Sequence, residues 1–101
     1  MSARDADAIL CTNALLAVGA LAALRDAGLD VPGDVALVGM DNTPLSELVW
    51  PPLTTVDLGS AERARIAAEL LLERIEGSEA EPRVVGVEPT LVVRASSGAG
   101  A

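Results

Sequence analysis

The sequence predicts an α/β fold built on a parallel sheet, and three observations carry that reading. Short apolar runs bounded by turn residues alternate with segments of helical length. The run Val35-Ala36-Leu37-Val38 shows no alternation of polar and apolar residues. That pattern suits a strand covered on both faces, as in a parallel sheet. Asp41 and Asn42 follow this run directly, which places them past the carboxyl end of a strand, where open α/β sheets bind ligands.

In chain order, residues 1–7 are polar and give no structural signal. Ala8–Cys11 reads as a brief buried strand. Thr12 and Asn13 offer side-chain oxygens at a helix start, where the first backbone N–H groups lack partners. Residues 14–27 read as a helix that stops at Gly28. It is apolar almost all round, which implies burial on more than one side. Pro32-Gly33 marks a turn. After the strand at 35–38, Gly39 is expected to let the backbone turn. Residues 44–50 suggest a short helix or turn, and Pro51-Pro52 hold the chain extended into a strand at Leu53–Val56.

Ser60 is expected to cap a long amphipathic helix over 61–76. Ala64, Ala67, Leu71 and Ile75 form its apolar stripe, and Gly77 ends it. Residues 78–83 form an acidic loop. Val84–Val87 and Leu91–Val93 read as two strands separated by Glu88-Pro89, and the tail 95–101 as small and flexible.

The totals exclude several function classes. The net charge of −8, with seven cationic residues that are all Arg, argues against direct contact with phosphates. The single Cys11 cannot form an internal disulfide and fits a reducing compartment. There is no secretory-type apolar core near the N-terminus, and the apolar run 14–24 is too short to span a bilayer. A cytoplasmic protein without membrane contact is expected. Enzyme chemistry finds little support. There is no His to act as base or metal ligand, Cys11 lacks a His partner, and no dinucleotide or phosphate-loop pattern occurs. A phosphoacceptor reading of Asp41 would need a lysine, and the chain has none. No metal and no cofactor are expected.

The run VALVGMDNTPLSELVWPPLTTV, preceded by AILCTNALLAVGALAALRDAGLDVPGDV, resembles the signature segments of the LacI/GalR family of bacterial repressors. The likeness extends from about Asp7 to Ser97. It implies the C-terminal part of a periplasmic-binding-protein-like module with two α/β subdomains. On that plan residues 8–49 belong to the C-terminal subdomain, 53–88 supply elements of the N-terminal one, and 91–97 form the return strand and tail. The DNA-binding heads, and most of the N-terminal subdomain, fall outside this sequence. It is therefore expected to be a fragment or truncated product that reaches operator DNA only through those heads.

The resemblance also implies roles for single residues. Asp41 would contact a small, sugar-like effector through hydrogen bonds to hydroxyl groups; local sequence alone reads it as a turn cap. Asn13 borders the same crevice and doubles as a helix cap. The family usually carries Asp where this chain has Ala14, which removes a carboxylate. Asn42 reads as turn chemistry only, and Cys11 as a small buried hydrophobe. Trp50 could stack on a ligand, but its place before Pro51 favours an interface or core role. Thr54 and Thr55 would lie in a hinge between subdomains. Leu15, Val18, Gly19, Leu21, Ala22, Leu48 and Trp50 would form a homodimer interface, with Ala20 and Ala23 permitting close backbone approach. A sugar-binding transport protein of the same fold, and a small α/β enzyme or interaction domain, are the competing readings.

Overall fold

The computed structural model describes residues 6–98. Strand β1 (Ala8–Leu10), helix α1 (Ala14–Asp26), β2 (Ala36–Met40), α2 (Leu45–Leu48), β3 (Thr54–Asp57), α3 (Ser60–Ile75) and β4 (Thr90–Val92) follow in order. A short 3-10 helix at Ala95–Ser97 comes last. The sheet runs β1-β2-β3-β4. The first three strands are parallel, while β4 pairs antiparallel with β3. The sheet is therefore mixed, with an antiparallel edge strand on a parallel core.

Helix α1 begins where the sequence demands. Asn13 is its N-cap, and Oδ1 accepts the Leu16 N–H at 2.8 Å. Gly28 stands just past its end with φ +74, a left-handed conformation that costs glycine little. Ala14, Ala17, Leu21 and Leu24 bury one stripe of α1. Ala14, Ala17 and Leu21 of this stripe join Cys11, Leu37 and Leu53 in the core cluster. Burial raises the Cys11 thiol pKa, as expected of an inert core cysteine.

Four expectations are corrected here. Gly39 does not turn the chain; it lies inside β2 opposite Thr55. A Cβ at that position would come 2.6 Å from Leu53 Cδ2, so glycine is favoured here by packing against the buried Leu53 side chain rather than by φ. Ser60 is not the cap of α3. Gly59 occupies that position at φ 66, and Ser60 opens the helix. Residues 84–87 form no strand: among the described residues no segment offers them a hydrogen-bonding ladder. The tail expectation fails at Ala95–Ser97, which form a 3-10 helix with Ser96 fully buried, while residues 99–101 lie outside the described residues.

Helix α3 projects away from this core. None of its residues is buried, and Leu71, Leu72 and Ile75 are exposed. The stripe drawn from the sequence is present, and the described residues cover it thinly: Val85 and Val87 lie beside Ala67 and Leu70, and Ala80 and Pro82 beside Leu71. The radius of gyration is 18.0 Å, against about 13 Å for a compact domain of this length. The polar face carries an Arg65–Glu62 pair and an Arg65–Glu69 pair at 2.6 Å. Both are solvent-exposed and contribute little.

Candidate functional site

The carboxyl ends of β1, β2 and β3 lie on one edge of the sheet because the three strands are parallel. That edge carries Asn13, Asp41, Asn42 and Asp57. Asp41 and Asn42 both adopt positive φ, at 85° and 49°. Side chains with a Cβ tolerate this region poorly, Asn and Asp least badly. The turn is held from several sides. The Asp41 N–H donates to the Val56 carbonyl at 2.7 Å. The Asn42 N–H donates to Thr55 Oγ1 at 3.1 Å.

Asp41 is exposed, and Ser60 Oγ donates to its Oδ1 at 2.8 Å. Oδ2 has no partner among the described residues. The carboxylate is thus anchored through one oxygen and offers the other as an acceptor. The bond also ties the β2 turn to the first residue of α3. Asn13 stands at the same edge, but its Oδ1 is committed to the cap of α1. No hydrogen bond joins it to Asp41 among the described residues. Ala14, the first residue of α1 and the position where the family usually carries Asp, is buried and belongs to the core cluster.

Asn42 does more than shape a turn, which corrects the expectation for it. Its Nδ2 donates to Asp57 Oδ2 at 3.0 Å, and its Oδ1 accepts from Arg94 Nη2 at 2.8 Å. A guanidinium only donates and an ionised carboxylate only accepts, so the amide has one allowed orientation. Asp57 also accepts the Gly59 N–H at 2.8 Å through Oδ1. The bond from Asn42, then that from Gly59, hold the Asp57 carboxyl below the usual carboxylate range.

Asp57 and Arg94 were missed in the sequence. Asp57 is one residue beyond the strand drawn there, and Arg94 follows an apolar run without any local pattern. Thr54 and Thr55, expected in a hinge, are both buried. Thr54 Oγ1 accepts the Arg94 N–H at 2.8 Å and lies 2.9 Å from the Arg94 carbonyl oxygen and 2.6 Å from Ser97 Oγ. These bonds tie the start of β3 to the segment leaving β4.

The residues expected at an interface divide. Leu15, Leu48 and Trp50 are 75%, 79% and 75% exposed. Gly19 and Ala22 are exposed, and Val18 is half-buried. Leu21 is corrected: at 4% exposure it lies inside the core, on the opposite side of α1. The Arg25 guanidinium donates to the Trp50 carbonyl oxygen and ties α1 to the α2 connector. Among the described residues, no cluster of acidic, Cys or His side chains is arranged to hold a metal ion.

Residues 2–97 match the family model of the periplasmic binding protein-like domain. The chain is 43% identical over 94 residues to the HTH-type transcriptional regulator MalR of Streptomyces coelicolor, covering 93% of this chain and 27% of that protein. A putative LacI-family regulator from Sanguibacter keddieii superposes with a TM-score of 0.84 at 46% identity, over 91% of this chain and 35% of that one. The complex of the transcriptional regulator CelR with cellobiose gives 0.84 at 39% identity, over 91% and 28%. The chain therefore spans about a quarter of the length of the curated relatives it matches. Those relatives are transcriptional regulators, not enzymes. With nearly its whole length matched, the chain belongs to the LacI family of transcriptional regulators, in the C-terminal part of their periplasmic-binding-protein-like domain.

Proposed function

We propose that this chain is the ligand-sensing and dimerisation part of a cytoplasmic LacI-type repressor. Its effector is a small sugar or related metabolite, bound in a cleft between two subdomains. One wall of that cleft is the carboxyl edge of β1, β2 and β3. The observation that carries the reading is the half-anchored carboxylate of Asp41, held by Ser60 with its second oxygen unpartnered. An exposed acceptor fixed in this way suits vicinal hydroxyl groups, and the cellobiose complex of a relative supports a saccharide.

Residues 8–49 make up the C-terminal subdomain, 53–88 contribute to the N-terminal one, and 91–97 return. The exposure of Leu71 and Ile75 on the apolar stripe of α3 supports this division, because a helix with a largely exposed stripe needs another layer. The effector biases two subdomain arrangements, and a DNA-binding domain outside these residues reads the bias at an operator. A second copy of the chain covers Leu15, Gly19, Ala22, Leu48 and Trp50.

The test is calorimetric titration of the intact regulator with cellobiose and a set of mono- and disaccharides. Asp41→Ala should weaken the binding saccharide roughly tenfold or more, the loss expected for one charge-assisted hydrogen bond. Unchanged circular dichroism should accompany it. Absence of heat with every saccharide rules out the sugar class. Wild-type affinity in Asp41→Ala reduces Asp41 to a turn residue.

A further inference from the structure

Arg94 is the one guanidinium of the described residues drawn deep into the protein, its side chain 15% exposed. Its nearest carboxylate oxygen is Glu47 Oε1, 3.5 Å away on a side chain that is 72% exposed. Such a long contact to a solvated group stabilises weakly. The well-formed hydrogen bonds go to neutral acceptors instead. Nη1 donates to the Leu53 carbonyl and Nη2 to Asn42 Oδ1, both at 2.8 Å. Removing a cation from water without a close counter-charge is costly, and an apolar side chain would fill such a space at less expense. The guanidinium therefore buys geometry, and the geometry in question is that of Asn42.

The side-chain amide of Asn42 lies between a cation and an anion, Arg94 on its oxygen and Asp57 on its nitrogen. Asn42 also has a left-handed backbone, next to Asp41 in the same region. Two such residues in succession persist only where their surroundings hold them. Thr55 and Val56 hold the backbone N–H groups, Ser60 holds Asp41, and Arg94 holds the Asn42 side chain. Arg94 is itself fixed through its main chain by Thr54. The return segment is thereby connected through one amide to the rim of the crevice.

We infer that Arg94 is a positioning residue of the effector crevice: acting through Asn42, it sets the turn that presents Asp41 and the carboxylate of Asp57 beside it. This rests on the reading of that edge as an effector site, and half of the test does not depend on it.

The experiment is a double-mutant cycle in the intact regulator, comparing wild type, Arg94→Met, Asn42→Ala and the double variant. The first readout is the titration midpoint of the Asp57 carboxyl, followed by carbon-13 NMR of labelled aspartate and assigned by its loss in Asp57→Asn. Asn42 holds that carboxyl low. Arg94→Met should raise the midpoint as Asn42→Ala does, and the double variant should show no further rise. A rise from Arg94→Met that adds in full to that of Asn42→Ala shows direct charge interaction and overturns the proposal. So does an unchanged midpoint in Arg94→Met.

The second readout is cellobiose affinity, expected to fall roughly tenfold in each single variant without a further fall in the double. Additive losses overturn the proposal. If cellobiose does not bind wild type, the saccharide of the set that does bind takes its place; if none binds, the effector reading fails, while the Asp57 cycle still decides the role of Arg94. If Arg94→Met does not fold, Arg94→Lys replaces it in the same cycle, keeping the charge while losing the planar fork.

Discussion

Ser96 Oγ accepts the Thr54 N–H at 2.8 Å and donates to the Leu37 carbonyl at 2.5 Å. One hydroxyl therefore joins β2, β3 and the 3-10 helix that follows β4. All three of these residues are fully or almost fully buried, so water cannot replace the bonds without opening the core.

From that relationship, Ser96→Ala should destabilise the intact protein by about 1–3 kcal/mol, the cost of stranding a buried donor and acceptor. Urea unfolding with an unchanged slope and a lowered midpoint is the expected record. A midpoint equal to wild type would mean that the hydroxyl is dispensable. Ser97→Ala is the control, because Thr54 Oγ1 keeps its bonds to Arg94 when Ser97 Oγ is lost.

Gly39→Ala should destabilise by about 1–3 kcal/mol, as overpacking does in a filled core. The added Cβ meets Leu53 Cδ2 at 2.6 Å, and Leu53 is itself buried. Leu53→Val in the same protein should recover part of the loss, because it shortens the side chain that clashes. Thermal unfolding of the four proteins in that cycle measures the coupling. Full additivity would show that the strain lies elsewhere.

What could be read in advance followed the range of the interaction. Asn13 as a cap and Gly28 as a stop depend on neighbours within one helical turn. Alternation of strand and helix, with Asp41 past a strand end, is likewise local. Ser96 and Arg94 were misjudged or missed because their partners lie 40 or more residues away. Nothing in ASSG signals burial. Gly39 reads locally as a turn glycine because its real constraint, the Leu53 side chain just before β3, is distant in sequence. Val84–Val87 has strand composition, yet composition makes no ladder without a neighbour. The apolar sequence of α1 predicts burial on more than one side, while the structure buries one stripe and leaves Leu15 and Leu16 exposed; which residue faces which side is not legible in a run apolar all round, and Leu21 belongs to the inner face.

That division of α1 leads to the last prediction. Leu15 is exposed on the helix while Leu21 is buried, so the same polar substitution should act differently at the two positions. Leu15→Asp removes apolar area that the monomer does not bury. It should convert the intact regulator to folded monomers, with the dimer dissociation constant raised at least roughly thirtyfold if Leu15 sits in the desolvated centre of the contact. Trp50→Asp should act in the same direction, because an exposed indole beside Leu48 supplies the aromatic area enriched at interface centres. Leu21→Asp should instead unfold the protein, since it places an unpaired charge in the core. Analytical ultracentrifugation with circular dichroism separates the outcomes. Dimers that persist in both Leu15→Asp and Trp50→Asp would place the subunit contact elsewhere.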